Sequence, residues 1–135
     1  MSHSLQFQVR HRYSLRDPGI AVPVRLAVGG RSVDLFANLD TGASFCIFHR
    51  ALGEALGLSV ESGFRQKLVT AAGWFWAFGH QVTLDVLGLG FDTTVYFAAP
   101  ADFPRNVLGR QGWLNRVRLA VIDYDGTLYL SPCED

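Results

Sequence analysis

Residues 20–44 read IAVPVRLAVGGRSVDLFANLDTGAS, and this stretch decides the fold. Val22, Val24, Leu26 and Val28 fall on alternate positions, so Ile20 to Val28 predicts a strand with one apolar face. Pro23 lacks an amide hydrogen to share with a neighbour, which suggests an edge position there. Gly29-Gly30 is a hairpin turn signal, and Arg31 to Leu39 is the returning strand. That strand runs directly into Asp40-Thr41-Gly42-Ala43-Ser44, and Phe45 to Phe48 is a further short apolar strand.

The rest of the chain continues in the same period-2 idiom. Leu5, Phe7 and Val9 predict an N-terminal strand, broken by Arg16-Asp17-Pro18-Gly19. Arg50 to Leu58 has helical apolar spacing, with Gly53 weakening it by up to about 1 kcal/mol relative to Ala. Gly57 supplies its C-terminal stop. Phe64 to Thr70 and Trp74 to Leu87 are strands flanking a small-residue tip, Ala71-Ala72-Gly73. Gly88-Leu89-Gly90 turns into a strand from Phe91 to Ala98, and Pro100 to Pro104 is loop. Val107 to Val117 suits one short helix, and Leu119 to Asp123 with Thr127 to Ser131 suits a final hairpin around Tyr124-Asp125-Gly126. Eight or so short strands with one or two small helices make an all-β, closed barrel-like domain, one lobe spanning residues 1–135.

Composition sets the outer bounds. The chain has 135 residues, 49% of them apolar and 18% charged, enough to bury a core and too apolar for long disorder. Twelve basic side chains cancel twelve acidic ones, which argues against nucleic acid as a partner and removes self-repulsion. Lys67 is the only lysine. Two cysteines, Cys46 and Cys133, make no disulfide framework and permit a reducing compartment. The N-terminus lacks a signal-peptide core, and no apolar run approaches the roughly 20 residues of a membrane span. A cytoplasmic protein without a membrane contact is the expectation.

Asp40-Thr41-Gly42 admits two readings. One is a plain turn, with Asp as its starter and Gly for a positive φ. The other is a carboxylate presented at a strand end for chemistry. Two further elements bear on the choice: Asn106-Val107-Leu108-Gly109-Arg110 about 65 residues on, and the small-tipped hairpin at Ala71-Ala72-Gly73 between them. With these elements the chain resembles the retropepsin-like aspartic proteases, over about residues 20–130, and looks closest to their non-viral, single-domain prokaryotic members. The resemblance implies an acid-protease fold and an aspartic-type endopeptidase. Asp40, Thr41 and Gly42 would be catalytic. Gly42, Ala43 and a flap tip of Ala71, Ala72, Gly73 and Trp74 would hold the substrate. Val107, Leu108, Gly109 and Arg110 would support the site.

Elementary chemistry agrees. Peptide hydrolysis without a metal or cofactor needs a base for water and an acid for the departing nitrogen. Two carboxylates about 3 Å apart supply both, because they share one proton. The chain has one Asp-Thr-Gly, and Asp92-Thr93-Thr94 and Asp125-Gly126-Thr127 are not second copies. The pair can therefore arise only from a homodimer, Asp40 meeting its twin on a twofold axis, with a polypeptide as substrate. A second reading stays open: a retropepsin-like dimerisation or peptide-binding module with little or no turnover.

Three departures from the family stand out. Ser44 occupies a position where retroviral members usually carry an Asp that pairs with the arginine matching Arg110. Asn38 stands where an apolar residue is commoner, and the C-terminus is a hairpin rather than an interleaved strand. Trp74, Trp76 and Phe78 share a strand face, readable as core packing or, for Trp74, as a cleft wall or flap contact.

Other constellations fall on context. Asp123-Tyr124-Asp125-Gly126-Thr127-Leu128 matches the DxDGT motif of haloacid-dehalogenase-type phosphatases, but only seven residues follow Leu128, so a hairpin turn is the better reading. Gly42-Ala43-Ser44-Phe45-Cys46 lacks the last glycine of a nucleophile elbow, and the four histidines form no metal motif.

Overall fold

The alternation in residues 20–39 produces a hairpin that seeds a closed sheet. The computed structural model describes residues 1–134. Its strands are β1 (Val9–Arg12), β2 (Ala21–Val28), β3 (Arg31–Leu39), β4 (Ile47–Phe48), β5 (Phe64–Thr70), β6 (Gly73–Val86), β7 (Leu89–Ala98), β8 (Val107–Leu108), β9 (Val117–Ile122) and β10 (Thr127–Pro132). One α-helix, α1 (Arg50–Ala55), and three single 3₁₀ turns complete the described residues. The larger sheet runs β2-β3-β8-β4-β7-β6-β5, and a further β2–β6 pairing closes it into a barrel. β5 then projects as one arm of a hairpin on the first half of β6. The second sheet is β1-β10-β9.

Burial follows the period-2 pattern. Val22, Val24 and Leu26 of β2 face Leu84, Val86, Val95 and Phe97 within one core cluster, as the alternation requires. Pro23 lies one residue beyond the stretch of β2 that pairs with β6, where an amide hydrogen is not needed on that side. Gly53 gains a packing reason. An added Cβ there would meet the Phe97 ring at 3.0–3.1 Å and Val60 at 3.2 Å, so the helix carries a glycine to let β7 approach.

Several expectations are corrected. The N-terminal strand starts at Val9, not Leu5, because the Gln8 amide donates to the Ser131 hydroxyl at 2.7 Å instead of to a ladder carbonyl. The β6–β7 turn is Leu87-Gly88, with φ of 56° and 89°, one residue earlier than the glycines at 88 and 90 implied. Both positions of such a turn need positive φ, and Leu87 accepts it while staying half-buried. The hairpin tip is Ala71-Ala72, with Gly73 already paired to Thr70. α1 ends at Ala55 and not Leu58, with Leu56 as its C-cap, while Gly57 at φ 82° is the expected stop, its amide donating to the Glu54 carbonyl at 2.9 Å and the Leu58 amide to the Gly53 carbonyl at 3.0 Å.

The largest correction is at Val107 to Val117, which is not a helix. Val107 and Leu108 form β8, sandwiched between β3 and β4, and only Leu114–Arg116 makes a 3₁₀ turn. Gly112 at φ 97° breaks the path, and an added Cβ would sit 2.7 Å from the Thr94 carbonyl oxygen. Likewise Phe45 is outside β4 and bridges Gln111 singly.

The final hairpin disposes of the phosphatase-like string. Asp123–Asp125 form a 3₁₀ turn ended by Gly126 in the left-handed region. The buried Tyr13 hydroxyl donates to Asp123 Oδ1 at 2.5 Å, so that carboxylate is engaged in structure. Burial, then the bond and charge of Asp123, push the Tyr13 phenol from 10.0 up to about 12. The raised value means the folded state holds this proton more tightly than the unfolded chain. Its contribution to stability is complete below about pH 10 and fades as pH rises through about 12. Tyr13→Phe is expected to lose about 1 kcal/mol by urea unfolding at pH 8. It should also remove the alkaline part of the stability loss that wild type shows.

Candidate active site

Asp40 is the first residue after β3, where β3 lies parallel to β8 in the register Asn38 with Val107 and Leu39 with Leu108. Asp40 is half-buried, and main-chain bonds fix the loop that follows. The Asp40 amide donates to the Leu108 carbonyl at 3.0 Å, and the Ala43 amide to the Asp40 carbonyl at 3.1 Å. The Gly42 amide donates to Asp40 Oδ1 at 2.9 Å, which pins one carboxylate oxygen and leaves the other available. Thr41 and Gly42 are exposed, and the Thr41 hydroxyl forms no hydrogen bond among the described residues.

The Asn106–Arg110 element supplies the support. Arg110 and Gln111 amides donate to the Ala43 and Ser44 carbonyls at 2.8 and 2.9 Å, clasping the loop against β8. Gly109 permits this approach. A Cβ there would stand 2.2 Å from the Phe45 carbonyl oxygen and 2.8 Å from that of Ala43. The Asn106 side chain accepts from the His49 amide at 3.0 Å and donates to the Phe36 carbonyl at 3.3 Å. That side-chain role was not read from the sequence, because both partners lie far from Asn106 along the chain. Arg110 itself is exposed, and its guanidinium has no hydrogen bond or ion pair among the described residues. Ser44 offers it no carboxylate, and the arginine rests in solvent. Asn38 is half-buried, its amide group packed where a Cβ on Gly19 would lie 3.3 Å away.

The hairpin of β5 and β6 carries two different faces. On one, Lys67 stands over Trp74 at 4.7 Å and Arg65 over Trp76 at 4.3 Å, with the two indoles edge to face at 5.4 Å. Trp74 is 55% exposed, so core packing does not describe it. On the other face Phe75 meets Phe103 at 5.1 Å, and Phe103 also meets His49 at 6.1 Å. Phe103 belongs to the loop that enters β8, so Phe75 packs against that loop. The sequence reading placed no weight on Phe75 or Phe103. The odd-even split across Trp74-Phe75-Trp76 held that signal.

Nearby thiol and imidazole groups are structural. Cys46 is fully buried, its sulfur 3.8–4.0 Å from the Gln111 and Gly109 carbonyls, and burial pushes the thiol up to about 11. His80 Nε2 lies 2.8 Å from the Val60 carbonyl oxygen. Among the described residues no group of three or more His, Cys, Asp or Glu side chains could hold a metal ion. No helix among them is long and apolar enough to cross a membrane.

No family model and no curated protein matches the chain. Solved structures do. A retropepsin-like aspartic protease from Rickettsia conorii aligns with TM-score 0.64 at 20% identity, over 91% of this chain and 97% of that one. EIAV protease, solved with the inhibitor HBY-793, aligns with TM-score 0.54 at 23% identity, over 70% of this chain and 84% of that one. These likenesses show the fold: this chain is built as a retropepsin-like lobe.

Proposed function

We propose that this chain, a single retropepsin-like lobe, is an aspartic endopeptidase that works as a homodimer. The observation that carries the reading is the Asp40 loop: a carboxylate with one oxygen pinned by the Gly42 amide, held against β8 by the Arg110 and Gln111 clasp. Such rigidity suits a group that must meet its twin at about 3 Å. One carboxylate of the pair keeps its charge and takes a proton from water. The other, protonated, donates to the peptide carbonyl oxygen as the tetrahedral intermediate forms, and the pair then returns a proton to the departing nitrogen. Thr41, whose hydroxyl forms no hydrogen bond among the described residues, would reach across to the partner's Thr41 and stiffen the base of the site.

Gly42 and Ala43 would line the floor, and the tip of Ala71, Ala72 and Gly73 would lie over the substrate backbone, with Trp74 beside it. Phe75 and Phe103 form the apolar wall and favour apolar side chains flanking the cut bond. Trp74→Ala is expected to lower kcat/KM several-fold on an apolar-flanked peptide. Unchanged kinetics and site preference would remove Trp74 from the cleft and leave the wall to Phe75.

The deciding experiment compares wild type and Asp40→Asn on an unfolded protein between pH 4 and 7. Cleavage by wild type alone is the expected result. Silence from both, with peptide binding retained, would instead make the chain a binding module, the reading that the solvent-exposed Arg110 and the Ser44 substitution favour.

A further inference from the structure

We infer that one face of the β5–β6 hairpin, that of Arg65, Lys67, Val69, Trp74 and Trp76, docks on an anionic lipid bilayer, so that the protein lies on a membrane surface without spanning it. The inference stands apart from the catalytic reading, because it uses the hairpin face opposite Phe75.

The register of the hairpin sets Val69 beside Trp74, Lys67 beside Trp76 and Arg65 beside Phe78. Period 2 puts these six side chains on one face, and Gln66, Leu68, Phe75 and Ala77 on the other. Neither cation stands over its direct cross-strand partner. Lys67 reaches over Trp74 at 4.7 Å and Arg65 over Trp76 at 4.3 Å, each one rung nearer the tip. The charges are thereby carried toward the end of the hairpin where exposed apolar groups gather. Val69 is 78% and Trp74 55% exposed, and Ala71 and Ala72 are exposed between them. Neither cation has a carboxylate partner among the described residues. No Asp or Glu occurs between Glu61 and Asp85, so a chain of zero formal net charge carries one arm without an acid.

Charge complementarity calls for an anionic partner, and the arrangement of the rings selects which. A single-stranded nucleic acid needs open ring faces on which its bases stack. Here Lys67 and Arg65 each cover one face of an indole, and the indoles meet edge to face at 5.4 Å, so no parallel platform remains. A bilayer surface needs something else: a modest exposed apolar area, indoles to sit at headgroup level, and cations on flexible stems to reach phosphate. Val69 and Trp74 supply the first two, and Lys67 and Arg65 the third. Such a contact requires no membrane-spanning run. Phe75 stays packed on Phe103 at 5.1 Å on the opposite face, so the hairpin rests on a surface without giving up that contact.

The test uses the whole chain and vesicles of phosphatidylcholine, alone or mixed with phosphatidylglycerol. Cosedimentation is expected to show binding to the mixed vesicles and not to the neutral ones, weakened at high salt. Tryptophan emission should shift to the blue on binding, a change that belongs to Trp74 and Trp76 because Trp113 is already buried. Arg65→Gln with Lys67→Gln is expected to weaken binding about 30-fold at unchanged circular dichroism, whereas Arg65→Lys with Lys67→Arg keeps it. Equal binding to neutral and anionic vesicles, or undiminished binding after loss of both cations, overturns the surface. So does an oligothymidylate that binds more tightly than the mixed vesicles. Asp40→Asn should bind the mixed vesicles as wild type does. A silent wild type that still binds them keeps the surface and loses the protease, and one that cuts peptide but stays off both vesicles keeps the protease and loses the surface.

Discussion

Asp40→Asn is expected to abolish peptide cleavage, with a loss of about 10³-fold or more in kcat/KM, and to leave the fold intact. The asparagine amide is nearly isosteric and can still accept the Gly42 amide bond through its oxygen, so the loop keeps its shape. What disappears is the ability to hold and hand over a proton, in both halves of the proposed dimer at once. Because each site would need two chains, the variant should also poison wild type. After subunit exchange with a ninefold excess of Asp40→Asn chains, activity should fall to about one tenth of that of the same wild-type amount alone, since random pairing leaves that share in wild-type dimers. Activity undiminished by the excess, with exchange verified by mass, would mean that each chain cuts on its own and would remove the shared pair.

Gly109→Ala is the second large effect. The added methyl would stand 2.2 Å from the Phe45 carbonyl oxygen and 2.8 Å from that of Ala43, both backbone atoms with no side-chain freedom to escape. Gly109 has no positive φ, so the cost comes from close approach and not from its own torsions. A loss on the order of 3 kcal/mol is expected, about 10 °C in melting temperature for a domain of this size. The stronger signature is functional. Relief of the overlap must push the Ala43–Phe45 stretch from β8, and Asp40 moves with it through the Arg110-to-Ala43 and Asp40-to-Leu108 bonds. Activity should therefore fall further than the folded fraction does, measured by kcat/KM at a temperature where the variant is still folded. A variant that melts like wild type and cuts like wild type would show that the loop does not depend on this clasp.

Much of the architecture was legible in residues 20–44. Alternating apolar residues, a diglycine turn and a strand ending in Asp-Thr-Gly gave β2, β3 and the loop within a residue of their observed bounds. Longer strands read well because each half-buried strand repeats its signal several times. β8 read poorly because two residues cannot show a period, and Val107-Leu108-Gly109-Arg110 is as compatible with a helix start. What makes it a strand is its place between β3 and β4, which no local pattern records. Gly53 was read only in part for the same reason. Its cost in the helix is local, and its compensation is the Phe97 ring arriving from β7.

Sequence by itself determined that this is a small all-β lobe with one Asp-Thr-Gly loop at a strand end, since alternation, turn chemistry and a tripeptide motif are properties of neighbours along the chain. Only the tertiary structure decided how that loop is held: which oxygen of Asp40 is pinned, why residue 109 must lack a side chain, and that Arg110 stands in water. It alone separated the exposed Trp74 from Phe75, and placed β9 at the edge of the second sheet. These facts depend on contacts between residues far apart in sequence, where closure of the barrel, and not local preference, sets the distances.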